Sequence, residues 1–470
     1  MCLANPFVDM KAANERRIPV VGEDPTATVH RATADLTMAM LLGLAYRLVE
    51  ADHYTRCGKF RQEQTLALMG IGCPGKTVGL IDDNPAAGGQ IWRGAQNVQR
   101  HSVSSVWLER LNKSAIQLVG GARVFHAADG ELAAESDDSA IQISYGKLIL
   151  ATGARELYLP FPGWTLPNVM GAGGLQALVK SGLDIAGKRI VVAGTGPLLL
   201  AVAAYARKCG GKVVGICEQT TRPRMARFGM KMMLVPGKAA EALRFAYELR
   251  GIPHWTDCWP VAAFGNRRLE SVRISRRGQT SEIECDYLAC GFHLIPNVEL
   301  PRMCGCQLKN GFVDVNEYQQ TSVAGTYCAG EPTGIGGLEL ALIEGEIAGY
   351  AATNWEDRAK HLIPKRARYQ TVVRILKAAF PLRPELKNLA RPDTLVCRCD
   401  DVSHERLCEH TSWRAAKLHT RCGMGPCQGR VCAPAAEFLF GWQIDSVRPP
   451  LYPVRCSSLA AIPSHSVPRN

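Results

Sequence analysis

The sequence lacks an apolar run long enough to cross a lipid bilayer. Its longest one, residues 36–46, ends at Arg47, whereas a transmembrane helix needs about 20 apolar residues. The N-terminus also lacks the pattern of a secretory signal, so the 18 cysteines are expected in a reducing compartment, where thiols and metal ligands persist. These absences argue against a transmembrane protein and a disulfide framework, and they predict a cytoplasmic protein.

Acidic residues are fewer than basic ones: 43 Asp and Glu stand against 55 Lys and Arg, which gives a net charge of +12. The basic residues are spread along the chain without a nucleic-acid recognition motif, so they indicate a solvated surface that docks an acidic partner rather than nucleic acid. Histidine is also scarce, with 11 residues and no H-x-x-x-H or triad-like grouping. The sequence therefore singles out no general base, and the catalytic residues stay unknown.

Cysteines near the C-terminus form a C-x-C pair followed, after 27 residues, by a C-x4-C pair. Four thiolates suit a [2Fe-2S] cluster, because soft sulfur matches iron and four ligands saturate two irons. Gly423, Gly425 and Gly429 allow tight turns that aim backbone amides at sulfur. A four-cysteine zinc site is the alternative, although such sites typically use C-x2-C. The predicted ligands are Cys397, Cys399, Cys427 and Cys432.

A strand, a glycine turn, an apolar helix and a second strand are predicted in succession over residues 188–218. Gly194 and Gly196 would let a pyrophosphate approach the helix N-terminus, and Glu218, at the end of the second strand, would bind a ribose hydroxyl. Leu199 replaces the third glycine of G-x-G-x-x-G. The segment thus predicts a site for NAD(P) or another nucleotide, with a purely structural βαβ unit as the alternative.

Two further strands end in turns of small residues. The first turn contains Thr152 and Gly153, and the second contains Gly330 and Glu331. In flavoproteins with two dinucleotide-binding domains, the first segment resembles the crossover between domains, and the second resembles the strand that places an acid near the flavin ribityl chain. The combination indicates a flavoprotein more strongly than either segment alone.

An apolar strand further upstream ends at Asp82, where a carboxylate is placed to receive the hydroxyls of an adenosine ribose. The turn that follows, Gly88-Gly89-Gln90, can lie close to a flavin, and Arg93 belongs to the same segment. A loop that holds no cofactor is the alternative, since paired glycines are frequent in turns. With the two turns described above, this segment favours FAD binding.

Residues 81–470 resemble the FAD-type subunit of bacterial hetero-oligomeric enzymes that oxidise amino acids. This family includes the A subunits of opine oxidases, the B subunit of hydrogen cyanide synthase and one subunit of D-hydroxyproline dehydrogenase. The resemblance is carried by GGQIWRG, ATGARE, LPFPGW, GGLQALVKSG, GTGPLLLAVAA, CGFHLIPNVEL, AGEPTGIGGLELALIEGEIAG and CRCDDV with TRCGMGPCQGRVC. It implies an α/β flavoprotein with two Rossmann-like dinucleotide-binding domains and a small helical [2Fe-2S] domain like bacterioferritin-associated ferredoxin.

The resemblance also implies a function that depends on partners. A separate FAD subunit resembling D-amino-acid oxidase would oxidise the CH–NH or CH–NH2 donor, and this chain would pass the electrons through flavin and cluster to an acceptor. Further expectations are a third, small ferredoxin-like subunit, together with peripheral membrane association through the acceptor. Two alternatives stay open: a stand-alone NAD(P)H-dependent flavin oxidoreductase, and an inactive fusion that retains only the cluster domain.

The first 80 residues do not fit this family, because no strand, G-x-G-x-x-G and helix precede Asp82. The match at Gly70–Gly75 leaves only six residues before Asp82, too few for a crossover helix. Segments 16–20, 32–42 and 75–81 instead resemble a D-2-hydroxyacid dehydrogenase, without its cofactor loop and catalytic residues. The chain therefore looks like a fusion of two genes, with a truncated first βαβ unit and FAD binding that is weakened or lost.

These observations predict the order of the domains along the chain. A foreign segment is followed by the two halves of a FAD-binding domain, with a second dinucleotide-binding domain inserted between them, and then by a linker and a cluster domain. The tail after Pro449 is expected to extend or to fold back onto the flavin domain. The predicted boundaries are 1–78, 79–180, 181–284, 285–355, 356–393 and 394–470.

Overall fold

The structure, a computed structural model, describes residues 78–93 and 103–461, apart from positions 115, 129, 138, 234, 236, 445 and 446. The segment predicted to be foreign therefore lies almost entirely outside the described residues. The chain divides into two compact units. Of the described residues, the first unit contains those within Met1–Ala154, Pro296–Tyr369 and Val447–Asn470, and the second contains those within Arg155–Ile295 and Gln370–Ser446.

Strands occur in both units. They are β1 (Gly79–Ile81), β2 (Gln117–Val119), β3 (Arg123–Ala128), β4 (Glu131–Glu135), β5 (Ala140–Ser144), β6 (Leu148–Leu150), β7 (Ala154–Glu156), β8 (Val169–Gly171), β9 (Arg189–Gly194), β10 (Lys212–Glu218), β11 (His254–Thr256), β12 (Cys258–Phe264), β13 (Ser271–Arg276), β14 (Gln279–Glu284), β15 (Tyr287–Gly291), β16 (Leu294–Pro296), β17 (Leu308–Lys309), β18 (Phe312–Val313), β19 (Thr326–Cys328), β20 (Leu395–Cys397) and β21 (Val402–Ser403).

Helices alternate with these strands along much of the chain. They are α1 (Gly89–Trp92), α2 (Val103–Asn112), α3 (Ala172–Lys180), α4 (Leu198–Lys208), α5 (Arg222–Met233), α6 (Lys238–Glu248), α7 (Glu299–Met303), α8 (Leu338–Ala352), α9 (Glu356–Ala379), α10 (His404–Cys408), α11 (Trp413–Thr420), α12 (Cys432–Phe440) and α13 (Cys456–Ala460), and a 3₁₀ turn covers Pro384–Asn388.

The first unit is built from small sheets and the buried helix α8. Strands β1 and β2 pair in parallel, β6 pairs in parallel with β19, and β3, β4 and β5 form an antiparallel sheet. Helix α8 buries Ile343 and Ile347 almost completely. The C-terminal tail also packs on this unit, because the Leu451 amide donates to the Phe125 carbonyl at 2.8 Å.

The second unit contains a five-stranded parallel sheet in the order β11-β10-β9-β15-β8. A continuous apolar run such as Ile190–Ala193 is typical of a strand that is covered on both faces, and these residues are fully buried. The predicted strand, helix and strand over 188–218 are confirmed as β9, α4 and β10. The sheet also takes in β8 and β15, which lie outside the predicted range 181–284.

The cysteine-rich region of the second unit has its own core. Strands β20 and β21 form an antiparallel pair, and helices α10, α11 and α12 pack beside them around Val396, Leu407, Trp413 and Ala436. Among the helices that the structure describes, none is both long and apolar enough to cross a membrane. The α/β class predicted from the sequence is confirmed by this architecture.

Candidate functional site

Three cysteines of the second unit bring their sulfurs together. Cys397 ends β20, Cys422 follows α11 and Cys432 begins α12, and their Sγ atoms all lie within 4.8 Å of one another. All three side chains are buried. This is a donor set for a soft metal, since thiolates prefer iron–sulfur clusters or zinc to hard cations.

The other two predicted ligands extend this group. The Cys427 thiolate accepts a hydrogen bond from the Cys432 thiol, which lowers the pKa of Cys427 to about 5, and it also contacts Cys399. Cys399 is exposed, and partial burial of its sulfur raises its pKa to about 11. The Cys422 and Cys432 thiols hold the pKa of Cys397 far below its usual range. The five cysteines thus form one connected cluster of thiols.

Backbone amides donate hydrogen bonds to two of these sulfurs, as we predicted from the glycines of this segment. Cys397 accepts from the amides of Gly423 and Asp400, and Cys427 accepts from those of Gly429 and Val431. Such donors stabilise thiolates and tune a bound cluster. The donor set and its amides therefore fit either a [2Fe-2S] cluster or a four-thiolate zinc ion.

Gly425 and Gly423 let the loop pass close to its neighbours. A Cβ at Gly425 would lie 2.3 Å from Cys399 Cβ, and one at Gly423 would lie 2.6 Å from the Trp413 ring. Real Cβ atoms essentially never approach so closely. Cys422 was not among the predicted ligands, although the regular spacing of Cys422, Cys427 and Cys432, five residues each time, is a sequence signal that points to it.

Asp82 of the first unit carries an acceptor atom that has no partner within the described part of the chain. Its side chain is 3% exposed, and its Oδ1 accepts from the amide and the Nδ2 of Asn84 at 2.8 and 3.0 Å. Its Oδ2 is buried and has no hydrogen-bond partner among the described residues. A ribose hydroxyl would satisfy this oxygen, so the residue fits the predicted role.

The predicted turn after Asp82 is also present. Gly88 and Gly89 both have positive φ, 117° and 53°, and helix α1, which contains Gln90, begins at Gly89. Arg93 Nη2 donates to Asn84 Oδ1 at 2.9 Å, and Asn84 in turn donates to Asp82. Asp82 and Arg93 are therefore held by the same asparagine.

The small-residue turn after β6 is fixed by Asn297. Its Nδ2 donates to the Thr152 carbonyl at 2.8 Å, its amide donates to the Gly153 carbonyl at 2.9 Å, and its own carbonyl accepts from Thr152 Oγ1 at 2.5 Å. The turn therefore presents its backbone in one conformation, with Gly153 at a φ of 66°.

Two buried glutamates organise the loop that precedes α8. Glu331 accepts from the Gly336 and Gly337 amides at 3.1 and 2.9 Å, and burial raises its pKa. Glu344, which the sequence analysis missed, accepts from the Gly330 amide at 3.0 Å and from Thr333 at 2.9 Å. Burial raises the pKa of Glu344 to about 7. Both carboxylates accept hydrogen bonds from residues of this loop, and neither is left to bind a cofactor.

Glu218 lies at the edge of the second unit's sheet, beside the predicted nucleotide loop. It accepts from Thr195 Oγ1 at 2.9 Å, from the Gly196 amide at 2.7 Å and from the Thr220 amide at 2.8 Å. Its side chain is buried, and burial raises its pKa. Gly194 is required here, because a Cβ would lie 2.0 Å from the Gly291 carbonyl oxygen. The structure brings Gly194, Gly196 and Glu218 together, but the carboxylate binds the loop itself.

Comparison with known proteins agrees with the resemblance found in the sequence. Residues 69–345 match the pyridine nucleotide-disulphide oxidoreductase family. The HcnB subunit of hydrogen cyanide synthase from Pseudomonas aeruginosa is 34% identical over 62% of this chain and 69% of that protein. The A subunit of opine oxidase from Rhizobium meliloti is 27% identical over 84% of this chain and 85% of that protein.

A solved structure shares the fold. L-proline dehydrogenase from P. horikoshii superposes with a TM-score of 0.57 at 17% identity, over 91% of this chain and 77% of that one. At this identity the likeness supports the fold alone. The family match covers more than half of the chain, and the first relative is more than 30% identical over more than two thirds of its length. The chain therefore belongs to the pyridine nucleotide-disulphide oxidoreductase family, whose members are oxidoreductases that bind FAD and NAD(P).

Proposed function

We propose that this chain is an electron-transfer subunit of a hetero-oligomeric oxidase or dehydrogenase that acts on an amino acid or an opine. A catalytic partner resembling D-amino-acid oxidase would oxidise the C–N bond, and this chain would pass the electrons to an acceptor. Two relatives support the role, since both are named as subunits and one belongs to an opine oxidase. A small ferredoxin-like subunit would complete the complex.

The observation that carries this proposal is the cluster of buried thiols. Cys397 and Cys432 lie within 4.8 Å of a third thiol, and Cys427 and Cys399 continue the group. Bound there, a [2Fe-2S] cluster would accept and release one electron at a time. Its ligands in our proposal are the four cysteines predicted from the sequence. The backbone amides on Cys397 and Cys427 would hold these thiolates in place and tune them.

The first unit would hold the flavin. Asp82 Oδ2 would accept from the adenosine ribose, and the turns at Gly88–Gly89 and Thr152–Gly153 would line the cofactor. Because the G-x-G-x-x-G match before β1, Gly70–Gly75, lies too close to Asp82 for a crossover helix, no predicted helix N-terminus would bind the pyrophosphate. FAD would therefore bind more weakly than in a complete domain.

We place the protein in the cytoplasm, attached at most peripherally to a membrane through its electron acceptor. The fifteen cysteines that the structure describes are all free thiols, which fits a reducing compartment. Two alternatives remain to be tested: a stand-alone NAD(P)H-dependent oxidoreductase, and an inactive fusion that retains only the cluster domain. The first alternative differs from the proposal in its electron donor, NAD(P)H, and the second differs in having no bound flavin.

The test is the visible and electron paramagnetic resonance (EPR) spectra of anaerobically purified protein before and after dithionite, with iron and zinc counted by mass spectrometry. We expect about two irons per chain and absorption that dithionite bleaches, and we expect Cys427→Ser to lose both. Zinc without iron would show that these thiols bind a structural zinc ion and would contradict the electron-transfer role. Protein that contains neither iron nor zinc would overturn the proposal.

A further inference from the structure

The connected thiol cluster of the cysteine-rich region has five members, whereas a [2Fe-2S] cluster needs four ligands. The fifth, Cys422, has no exposed surface, and its Sγ lies within 4.8 Å of the Sγ atoms of Cys397 and Cys432. By contrast Cys399, one of the four proposed ligands, is exposed. The Cys422 sulfur is therefore within 4.8 Å of two proposed ligands, and the same limit holds for the distance between those two ligands.

The backbone fixes the position of Cys422. Helix α11 ends with Thr420, whose Oγ1 accepts from the Cys422 amide at 3.2 Å and donates to the Ala416 carbonyl at 2.6 Å. The residues on either side of Cys422, Arg421 and Gly423, both have positive φ, 65° and 81°. A turn of this kind reverses the chain within a few residues and directs the Cys422 side chain into the core. The thiol is thus held beside its neighbours and does not reach them from a mobile surface loop.

We infer that Cys422 is a reserve ligand of the cluster, an inference that rests on the proposed [2Fe-2S] site. When Cys397 or Cys432 is lost, the Cys422 sulfur binds the iron in its place. Where the thiolate of Cys397 or Cys432 departs, its iron–sulfur bond would break as the bond to Cys422 forms, and the proton that Cys422 releases would pass to the departing thiolate. Where that thiol has been removed by substitution, Cys422 would form the missing iron–sulfur bond and its proton would pass to solvent. No electron is transferred. Cys399, whose contact is with Cys427, has no such substitute.

The test compares the iron and sulfide content and the EPR spectrum of single and double alanine variants, purified anaerobically and reduced with dithionite. Cys397→Ala and Cys432→Ala should each keep at least about half of the wild-type iron, with shifted g values because one ligand has changed. Adding Cys422→Ala to either should lower the iron by about tenfold or more. Adding Cys408→Ala, an exposed thiol of the same region, should change nothing further.

The outcomes separate two failures. If the Cys397→Ala and Cys432→Ala variants lose their iron as completely as the double variants do, Cys422 is no reserve ligand while the cluster proposal stands. If the wild-type protein itself holds no iron and sulfide, the proposed function fails. Far-ultraviolet circular dichroism of each variant shows whether a loss of iron follows from unfolding.

A second observation, independent of the cluster, concerns the predicted nucleotide loop of the second unit, the glycine turn Gly194–Gly196 at the end of β9. The segment Phe380–Arg383, here called the strap, crosses the edge of the parallel sheet where this loop lies. Gln219 Nε2 donates to the Pro381 carbonyl at 3.1 Å, and the Arg383 amide donates to Gln219 Oε1 at 3.1 Å. Gln219 is fully buried and directly follows Glu218.

Both ends of the strap are anchored on the same unit. The Phe380 ring packs edge-on against Phe228 at 4.8 Å between centroids, and it lies 4.0 Å from where a Cβ of Gly196 would be. Arg383 pairs with Asp257 at 2.5 Å and lies over the Trp259 ring at 4.8 Å. The strap therefore covers the glycine turn from outside, while Glu218 binds its amide from inside.

We propose that the strap and Glu218 together close the second dinucleotide site, so that NAD(P)H does not bind there. A dinucleotide needs the amide at the helix N-terminus for its pyrophosphate and the acid for its ribose. Here the Gly196 amide and the Glu218 carboxylate are bound to each other, and the Phe380 ring occupies the approach. The parallel sheet would then serve to carry the cluster domain, and the electrons would come from the catalytic partner.

Titration of the full-length protein with NADH and NADPH by calorimetry tests this closure. The wild type should show no saturable binding up to about 1 mM, and Phe380→Ala with Arg383→Ala should gain binding by at least about tenfold. The exposed neighbour Asn388→Ala should behave as the wild type does. Saturable binding to the wild type would overturn the proposal. If the Phe380→Ala, Arg383→Ala double variant also fails to bind NADH and NADPH, the strap is not what prevents binding.

Discussion

Trp164 Nε1 donates a 2.6 Å hydrogen bond to the carbonyl of Leu395. Trp164 is buried and belongs to the core around the parallel sheet, and Leu395 begins the strand that ends at Cys397, a proposed ligand. Arg155 makes a second bond of this kind, from its Nε to the Arg430 carbonyl at 3.0 Å. Within the second unit, Trp164 and Arg155 thus hold the backbone beside both cysteine pairs of the cluster.

Trp164→Phe should weaken this attachment. The change removes the donor, leaves the Leu395 carbonyl without its bond and opens a small gap in a buried position, so we expect the free energy of unfolding to fall by about 1–3 kcal/mol. Urea unfolding followed by circular dichroism measures the loss. An unchanged midpoint would show that the bond does not stabilise the unit. Tyr158→Phe in the same core is the comparison and should cost less, because among the described residues its hydroxyl contacts the Cys290 sulfur and no nitrogen or oxygen partner.

Gly425→Ala should reduce metal binding more than it reduces stability. The new Cβ would lie 2.3 Å from Cys399 Cβ, so the loop must shift and carry Cys427 with it. We expect iron per chain to fall at least about twofold in cells grown with excess iron. Gly146→Ala, where a Cβ meets nothing within 4 Å, is the matched control. Equal iron in both variants would show that the loop tolerates the methyl group.

The sequence predicted local elements well because their signals are local. The apolar run of β9, the glycine turn and the strand that ends at Glu218 lie within 31 positions, 188–218, and the structure has them there. The parallel pair of β6 and β19 brings together the two small-residue turns that were predicted separately. A sequence pattern can identify such units because their hydrogen bonds and apolar faces depend mainly on neighbouring residues.

What the sequence could not predict depends on distant contacts. Gln219 meets Pro381 across 162 positions, and no periodicity in either segment indicates that the linker covers the nucleotide loop. The burial of Glu344 arises in the same way, because only tertiary packing covers all faces of its apolar helix and removes this carboxylate from water. Cys422 differs, since its spacing was readable, but four ligands already satisfied the expected cluster.

Glu344 should make the stability of the protein depend on pH. Its pKa is raised from 4.5 to about 7 by burial, so the folded state keeps a proton that the unfolded state has released. Between about pH 4.5 and 7 stability therefore falls as pH rises, by up to about 1.4 kcal/mol per pH unit. Glu344→Gln keeps an acceptor for Gly330 and Thr333 but cannot ionise. It should flatten this part of the profile, and identical slopes in urea unfolding would assign the pH dependence to other groups.

Asp82 should decide how much flavin the protein retains. Its buried Oδ2 is a free acceptor among the described residues, while the proposed truncation of the first βαβ unit would remove the glycine loop for the pyrophosphate. Each missing charge-assisted bond costs about 1.5–3 kcal/mol, so we expect purified protein to carry clearly less than one FAD per chain by absorbance after heat release. Asp82→Ala should remove the remainder, because the ribose loses its acceptor, while Asp83→Asn on the neighbouring position should retain it. A ratio near one in the wild type would mean that residues outside the described part of the chain replace the missing loop. Flavin retained by Asp82→Ala would show that this carboxylate does not bind the ribose.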